Sequence, residues 1–156
     1  MDYPLETISD EAFRPFGALL RFRGGTGFQP AGHVFDADPG TRPDAFVVRI
    51  GQPVSLPLRV EEMERHPFSA QTFIPLAGGG AAVVVCPAAA DGAPDLTGLR
   101  AFRLPASTGI TYSRGVWHHS VCALEPSDLV VLMARAPQGG DTEIARLPRA
   151  VTVGAK

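Results

Sequence analysis

The sequence has little cysteine, no long apolar run and no large excess of charge, and each shortage excludes a class of protein. Two cysteines, Cys86 and Cys122, are too few for a disulfide framework, and each lies in an apolar run, which predicts buried free thiols. No apolar run approaches the roughly 20 residues that cross a bilayer. A net charge of −2 and a pI near 6.0 do not favour nucleic acid or a membrane as a partner.

The N-terminus also lacks the basic residues of a secretory signal. Its first residues, MDYPLETISDEAF, carry acids instead, which predicts a cytoplasmic protein. The 156 residues are 45% hydrophobic and 19% charged, the balance of a globular chain with a core. No repeat, linker or charge run divides them, so we predict a single domain over residues 1–156.

The chain is rich instead in short β-branched runs separated by glycine and proline, a pattern that indicates a β sandwich or barrel. Strands are predicted over residues 19–22, 45–50, 54–60, 71–76, 81–86, 109–113, 119–124, 128–134 and 143–147. Residues 24–44 are predicted to form a long loop, because they are rich in glycine, proline, aspartate and threonine. Two short helices are predicted, one over residues 10–14 with Ser9 as its cap and one around residues 94–102.

Three of the four histidines fall in two short stretches, ERHPFSAQ and GVWHH. In an extended segment alternate side chains share a face, so Glu64 and His66 are expected to point the same way. Gln71 enters the next predicted strand and can bring a third polar group to their pocket. Only one of His118 and His119 can face inward from a strand. Clustered titratable groups of this kind are typical of functional sites.

The spacing of these residues resembles the two metal-binding motifs of cupin barrels, H-x-H-x3,4-E-x6-G and G-x2-H-x3-N. Residues 64–78 read E-x-H-x4-Q-x6-G, and residues 115–122 read G-x2-H-x3-C. Glu64 replaces the first histidine, and Gln71 replaces the glutamate. The resemblance implies a mainly β, cupin-type barrel or jelly roll with one or two short helices. Glu64, His66, Gln71 and His118 would then hold a divalent ion (nickel, manganese, zinc or iron) or form hydrogen bonds in a metal-free cavity.

Longer stretches resemble the ureidoglycolate lyase (ureidoglycolate hydrolase) family of purine and allantoin degradation. ERHPFSAQTFIPL, APDLTGLRAF, GVWHH and SDLVV carry this resemblance, which runs from about Ser55 to Val131. It implies a homodimer that splits the small molecule ureidoglycolate into glyoxylate and urea, with nickel or another divalent ion as a stimulating cofactor. Two stretches depart from the family: GGTGFQPAGHVFDADPG lacks its Asn-x-Gly and its arginine, and VVLMARAP has Ala134 before Arg135.

The resemblance and the chemistry of a hemiaminal substrate together suggest residue roles. Glu64, His66 and His118 are expected to be catalytic. The residues expected to bind substrate are Gln71, Tyr112, Trp117 and Arg49, with Arg103, Arg114 and Arg135 as further candidates for its carboxylate and His33 as a candidate replacement in the altered loop. A different small polar acid as substrate, or a non-catalytic metabolite-binding cupin, remain alternatives because one barrel hosts many functions.

Overall fold

The computed structural model describes residues 1–32 and 34–154 and shows two curled β-sheets that face each other. The strands are β1 (Asp2–Tyr3), β2 (Glu6–Thr7), β3 (Gly17–Leu20), β4 (Arg42–Ile50), β5 (Leu58–Arg65), β6 (Gln71–Gly78), β7 (Ala81–Cys86), β8 (Arg100–Leu104), β9 (Gly109–Tyr112), β10 (Trp117–His118), β11 (Cys122–Ala123), β12 (Ser127–Arg135) and β13 (Glu143–Val153). One sheet has the order β1-β13-β5-β10-β7-β8-β2, with β11 also paired to β7, and the other has the order β3-β9-β6-β12-β4. This arrangement confirms the predicted mainly β, cupin-like fold.

The main core lies between the two sheets, because alternate side chains of each strand point inward. In β12, Leu129, Val131 and Met133 are buried while the residues between them are partly exposed. Val83 and Phe102 of the larger sheet belong to the same buried cluster as Leu129 and Val131. Each fully buried side chain of this size stabilises the fold by roughly 1.5–3 kcal/mol.

A second core covers the opposite face of the larger sheet. Val60, Met63 and Trp117 pack there against Val151 and Val153 of β13. The larger sheet is therefore buried on both faces, and neighbouring residues of one strand point into different cores. This division decides which polar residues of β5 and β10 reach the interior between the sheets.

The first predicted helix is confirmed and the second is wrong. Helix α1 (Asp10–Phe13) begins after Ser9, whose hydroxyl accepts a hydrogen bond from the Ala12 N–H at 3.1 Å. Around residues 94–102 the structure has only a 3₁₀ turn over Leu96–Gly98, followed by β8. Asp95 does cap this turn, but residues 100–104 form a strand because β7 pairs along one edge of it and β2 along part of the other.

Several strand boundaries differ from the sequence prediction. The first long strand covers residues 17–20, and the strand predicted over residues 54–60 lies at residues 58–65. Of the strand predicted over residues 119–124, only β11 at residues 122–123 is present, and β10 ends just before the predicted start. The predicted loop ends at residue 41, and His33 within it lies outside the described residues. In the part of the chain that is described, no helix is long and apolar enough to cross a membrane.

Candidate metal centre and active site

Three of the predicted site residues meet between the sheets: Glu64 of β5, His118 of β10, and His66 just after β5. Glu64 and His118 are directly paired across the two antiparallel strands, which places their side chains on one face. One ligand atom from each of the three residues lies within 4.8 Å of the others. His66 and His118 are buried, whereas the Glu64 side chain remains 23% exposed. Glu64 is therefore the member of this triad that solvent reaches.

His118 presents the Nε2 edge of its ring to the other members of the triad. Its Nδ1–H donates to the Val116 carbonyl at 2.9 Å, since a carbonyl can only accept. Burial lowers the pKa of His118 to about 3, so the ring is neutral and has a lone pair on Nε2. Gln71 Oε1 lies 3.3 Å and Glu64 Oε1 3.7 Å from that nitrogen. Several electron-rich atoms thus meet at one buried point.

The Nδ1 of His66, like that of His118, is hydrogen-bonded to a backbone carbonyl, but this carbonyl belongs to a distant part of the chain. Its Nδ1–H donates to the Asp141 carbonyl at 2.9 Å, and the Thr142 hydroxyl lies 3.3 Å from the same nitrogen. A proton held on Nδ1 in this way leaves Nε2 as the nitrogen available to a ligand. This Nε2 is buried without a hydrogen-bond partner among the described residues. A buried polar atom left unpaired in this way calls for a ligand.

The donor set fits a divalent cation. Two imidazole lone pairs and one carboxylate converge, and hydrogen bonds at the far side of each ring fix the tautomer that a metal ligand needs. The Gln71 amide can direct its oxygen towards a bound cation. In a metal-free site the amide can rotate so that its NH₂ donates to the lone pair of His118 Nε2. Imidazole with carboxylate oxygen suits nickel, manganese, zinc or iron.

Tyr112 forms a wall of this site. Its ring stacks on His118 with centroids 4.1 Å apart and an interplanar angle of 16°. The Tyr112 hydroxyl is buried and has no hydrogen-bond partner in residues 1–32 and 34–154. Burial raises the pKa of this phenol above its usual value, so it stays a neutral donor. The structure thus brings Tyr112 and Gln71 to the triad.

Two other predicted substrate-binding residues lie elsewhere. The Trp117 ring packs in the second core, where its Nε1–H donates to the Gly92 carbonyl at 3.0 Å and Arg65 stacks on it. The Arg49 side chain is 80% exposed and makes a bidentate ion pair with Asp128 at 2.7 and 2.8 Å. Neither side chain is brought to the triad.

The other arginine candidates are also placed away from the triad or are already paired. Arg114 pairs with Asp38, and Arg135 pairs with Asp44 at 3.3 Å. Arg103 is exposed on β8. Sequence reasoning missed Arg146, which lies on β13 directly opposite Glu62. Motif spacing could not identify it, because only the pairing of β13 with β5 places it near the site.

A small cavity of about 90 Å³ adjoins the exposed side of Glu64. Its lining also includes Glu62, His119, Ser120 and Ile144. The Ser120 hydroxyl donates to Glu64 Oε1 at 3.1 Å. His119, the partly exposed member of the histidine pair, therefore lies at the rim, as strand alternation requires. A larger cavity of about 350 Å³ lies beneath residues 34–45, and no member of the triad lines it.

Both cysteines are buried free thiols, as the sequence predicts. Burial raises the pKa of Cys86 to about 12 and that of Cys122 to about 11. The Cys122 sulfur lies 3.2 Å from His119 Nδ1, but a thiol with so high a pKa is not an activated nucleophile.

Comparison with known proteins identifies the family of this chain. The family model described as ureidoglycolate lyase matches residues 3–154. The chain belongs to the ureidoglycolate lyase family. Among its relatives, a ureidoglycolate lyase of Burkholderia mallei (strain NCTC 10229) is 38% identical over 148 residues, covering 88% of this chain and 82% of the relative. Ureidoglycolate lyases of Burkholderia cepacia (36% over 152 residues, 90% and 84% covered) and Pseudomonas putida strain W619 (33% over 150 residues, 89% and 87% covered) are also similar. The family and the lyase class of enzyme that the motifs predicted are confirmed.

Proposed function

We propose that this protein cleaves ureidoglycolate to glyoxylate and urea, and that one domain of residues 1–156 carries the activity. The observation that carries the proposal is the convergence of Glu64, His66 and His118 in a chain of this family. In the reaction the carbon–nitrogen bond of the hemiaminal breaks and the hydroxyl oxygen becomes the carbonyl of glyoxylate. One proton leaves that oxygen and one is gained by the departing nitrogen, so no other reactant is needed.

Glu64, His66 and His118 would hold a divalent ion, with the Gln71 oxygen as a fourth and weaker ligand. Such an ion supplies Lewis-acid chemistry, lowering the pKa of a bound hydroxyl and holding oxygen atoms in place. Nickel is the first candidate, with manganese, zinc or iron as the alternatives and a metal-free hydrogen-bonding site as the remaining one.

Glu64 is the residue placed to transfer the proton. Its Oε1 faces His118 and accepts from Ser120, so this oxygen would hold the ion, while its Oε2 accepts no hydrogen bond from the described residues and is left for proton transfer. One carboxylate can remove the hydroxyl proton and deliver it to the departing nitrogen, which balances the reaction. His118 is neutral above its low pKa, so it serves as an electron-pair donor rather than as an acid. The unpaired Tyr112 hydroxyl can donate to a substrate oxygen.

The substrate is an anion, and the cavity beside the triad is lined by Glu62 and Glu64. A positive group is needed there, and we assign this role to Arg146 in place of Arg49. Ile144 lies opposite Glu64, and Arg146 lies opposite Glu62. All four side chains therefore lie on the face of the sheet that carries the Glu64 carboxylate. Within the described residues no carboxylate lies within 4.0 Å of the Arg146 guanidinium, which leaves its fork for a substrate carboxylate.

The proposal also includes the oligomeric state and the location of the protein. The family resemblance supports a homodimer, and the smaller sheet offers exposed apolar residues such as Val47 and Leu76 that a second copy could cover. A cytoplasmic location is the second property, and it rests on membership of a family of metabolic enzymes. Sedimentation equilibrium tests the first property, and a purely monomeric protein would refute it.

The test of the reaction is to incubate the purified protein with racemic ureidoglycolate and quantify glyoxylate, urea and ammonia. The assay is run after chelation and again with nickel or manganese restored. Equimolar glyoxylate and urea without ammonia is the expected result, and His66→Ala and His118→Ala should abolish most of it. No glyoxylate under any condition would refute the lyase assignment and favour a different acid as substrate or a non-catalytic binding role.

The arginine is tested separately with Arg146→Met, using Arg149→Met as a matched control in the same strand. Removing a bidentate carboxylate partner should raise KM about tenfold or more while kcat changes less, since substrate binding is lost in ground and transition states alike. Arg149→Met should keep the wild-type KM. An unchanged KM in Arg146→Met would return the role to another arginine.

A further inference from the structure

The loop between β12 and β13 supplies the partner of His66. The Asp141 carbonyl accepts the His66 Nδ1–H at 2.9 Å, although the two residues are 75 positions apart in sequence. The side chain of the same residue turns back into the loop, where a carboxylate oxygen accepts the Ala136 N–H at 2.5 Å. Asp141 thus contacts the site through its backbone and its own loop through its side chain.

The hydrogen bond from Ala136 to Asp141 restricts a loop that contains two adjacent glycines. Gly139 and Gly140 have φ angles of 77° and 76°, in the region that favours glycine, and glycine has the largest freedom to lose on ordering. The bond from Ala136 to Asp141 closes this stretch into a ring and restricts where the Asp141 carbonyl can lie. The carboxylate is only 14% exposed, so water competes weakly for it.

The position of the Asp141 carbonyl decides the tautomer and the orientation of the His66 ring. While Nδ1–H is held by the carbonyl, the lone pair is fixed on Nε2, the buried atom that has no partner among the described residues. A ring that lost this bond could rotate or exchange tautomers, and Nε2 would no longer point steadily at Glu64 and His118. Hydrogen-bond partners of metal-binding histidines typically change metal affinity or activity ~10–100-fold when removed.

We propose that Asp141 is a positioning residue, whose carboxylate closes the β12–β13 loop and thereby holds His66 in the tautomer and orientation that the site requires. The effect on catalysis rests on the lyase activity proposed above. The effect on the His66 ring does not, because it concerns the free protein.

The test compares Asp141→Ala with Asp141→Asn, whose amide oxygen can still accept the Ala136 N–H. Asp95→Ala is a matched control, since that carboxylate likewise accepts a backbone N–H, from Thr97 at 2.9 Å, but in a turn outside the site. The readouts are the ring ¹⁵N shifts of His66 near pH ~8, where histidine is neutral, and the affinity for Ni²⁺ alone.

The wild-type protein, Asp141→Asn and Asp95→Ala should show one His66 tautomer with the proton on Nδ1. Asp141→Ala should show exchange between tautomers and bind Ni²⁺ about tenfold or more weakly. A single Nδ1–H tautomer and unchanged Ni²⁺ affinity in Asp141→Ala would overturn the proposal. If that variant does not fold, amide exchange in the wild type decides: a slowly exchanging Ala136 N–H supports the closed loop, and rapid exchange overturns it. Neither measurement needs turnover, so an inactive protein would refute the proposed reaction alone.

Discussion

Substituting Tyr112 by phenylalanine should stabilise the free protein while it slows the reaction. The Tyr112 hydroxyl is buried and unpaired within the described residues, whereas its ring stacks on His118 and meets Phe73 edge-on at 6.0 Å. Phenylalanine keeps these ring contacts and removes only the unpaired donor. A buried unsatisfied polar group costs about 1–3 kcal/mol, so Tyr112→Phe should gain about 1 kcal/mol in the free energy of unfolding.

The matched control is Tyr3→Phe, because the Tyr3 hydroxyl donates to the Leu96 carbonyl at 2.7 Å. That variant should lose about 1 kcal/mol, so the two identical chemical changes should have opposite signs. Urea titration of both variants without substrate measures the free energies, and m must stay unchanged for the comparison to hold. If Tyr112→Phe were as destabilising as Tyr3→Phe, the hydroxyl would have a partner in the free protein and the reasoning would be refuted.

The kinetic half of this prediction is independent. If the Tyr112 hydroxyl donates to a substrate oxygen in the transition state, its loss should lower kcat by about 10²-fold, the usual effect of removing one such donor. The Tyr3→Phe variant should keep the wild-type kcat, since Tyr3 lies on β1 and bonds to Leu96. Full activity in Tyr112→Phe would show that the phenol does not contact the substrate and that its ring alone shapes the site.

Burial, charge and steric contact set three more expected outcomes. Cys86 and Cys122, with pKa values raised by burial to about 12 and 11, should not react with a disulfide reagent near pH ~8 until urea unfolds the chain. Asp10, whose pKa is lowered to about 2 mainly by the hydrogen bond from Arg23, should stabilise by less than ~1 kcal/mol at neutral pH, because the pair is exposed. That contribution is present above the unfolded pKa near ~4 and lost as pH falls towards 2. Gly17→Ala should destabilise strongly, since its Cβ would lie 1.8 Å from a backbone oxygen of β9.

Each of these outcomes has a control. Gly115→Ala introduces a Cβ with no atom within 4 Å, so it should lose only the ~1 kcal/mol of an unfavourable positive φ. Equal losses at Gly17 and Gly115 would mean that contact with β9 is relieved without cost. For Asp10, the stability difference from Asp10→Asn should shrink as pH falls from ~4 to 2 and vanish only below the folded pKa of about 2, and a constant difference would refute the ion-pair account. Rapid labelling of native cysteines would show that one thiol is accessible.

The sequence identified the triad because its determinants are local. Alternation in an extended segment places Glu64 and His66 on one side, and the second histidine motif supplies His118, the inward member of its pair. No contact between distant segments had to be known for either step. The false helix around residues 94–102 has the opposite cause: the Asp95 cap is a local signal, and pairing of β8 with β7 and β2 overrides it.

The two residues that our proposals add to the site could not be predicted from the sequence, because long-range pairing places them. Arg146 enters only through the register of β13 against β5, and Asp141 through a bond that spans 75 positions. Trp117 was misjudged because adjacent residues of a two-residue strand face different cores: His118 points between the sheets and Trp117 points away. A single sequence carries no measure of strand register, so these assignments required the fold.

The two substitutions within the first cupin-like motif, Glu64 for histidine and Gln71 for glutamate, conserve the charge of the ligand set while they change the ligands. A carboxylate at position 64 and an amide at position 71 leave the set with one negative charge, as a histidine and a glutamate would. A divalent ion held by Glu64, His66, His118 and Gln71 would give a net charge of +1, which attracts an anionic substrate past Glu62. A second carboxylate at position 71 would hold the cation more strongly and cancel that attraction. The neutral amide would thus suit the proposed site, in which the ion would be held loosely and the acid substrate attracted electrostatically.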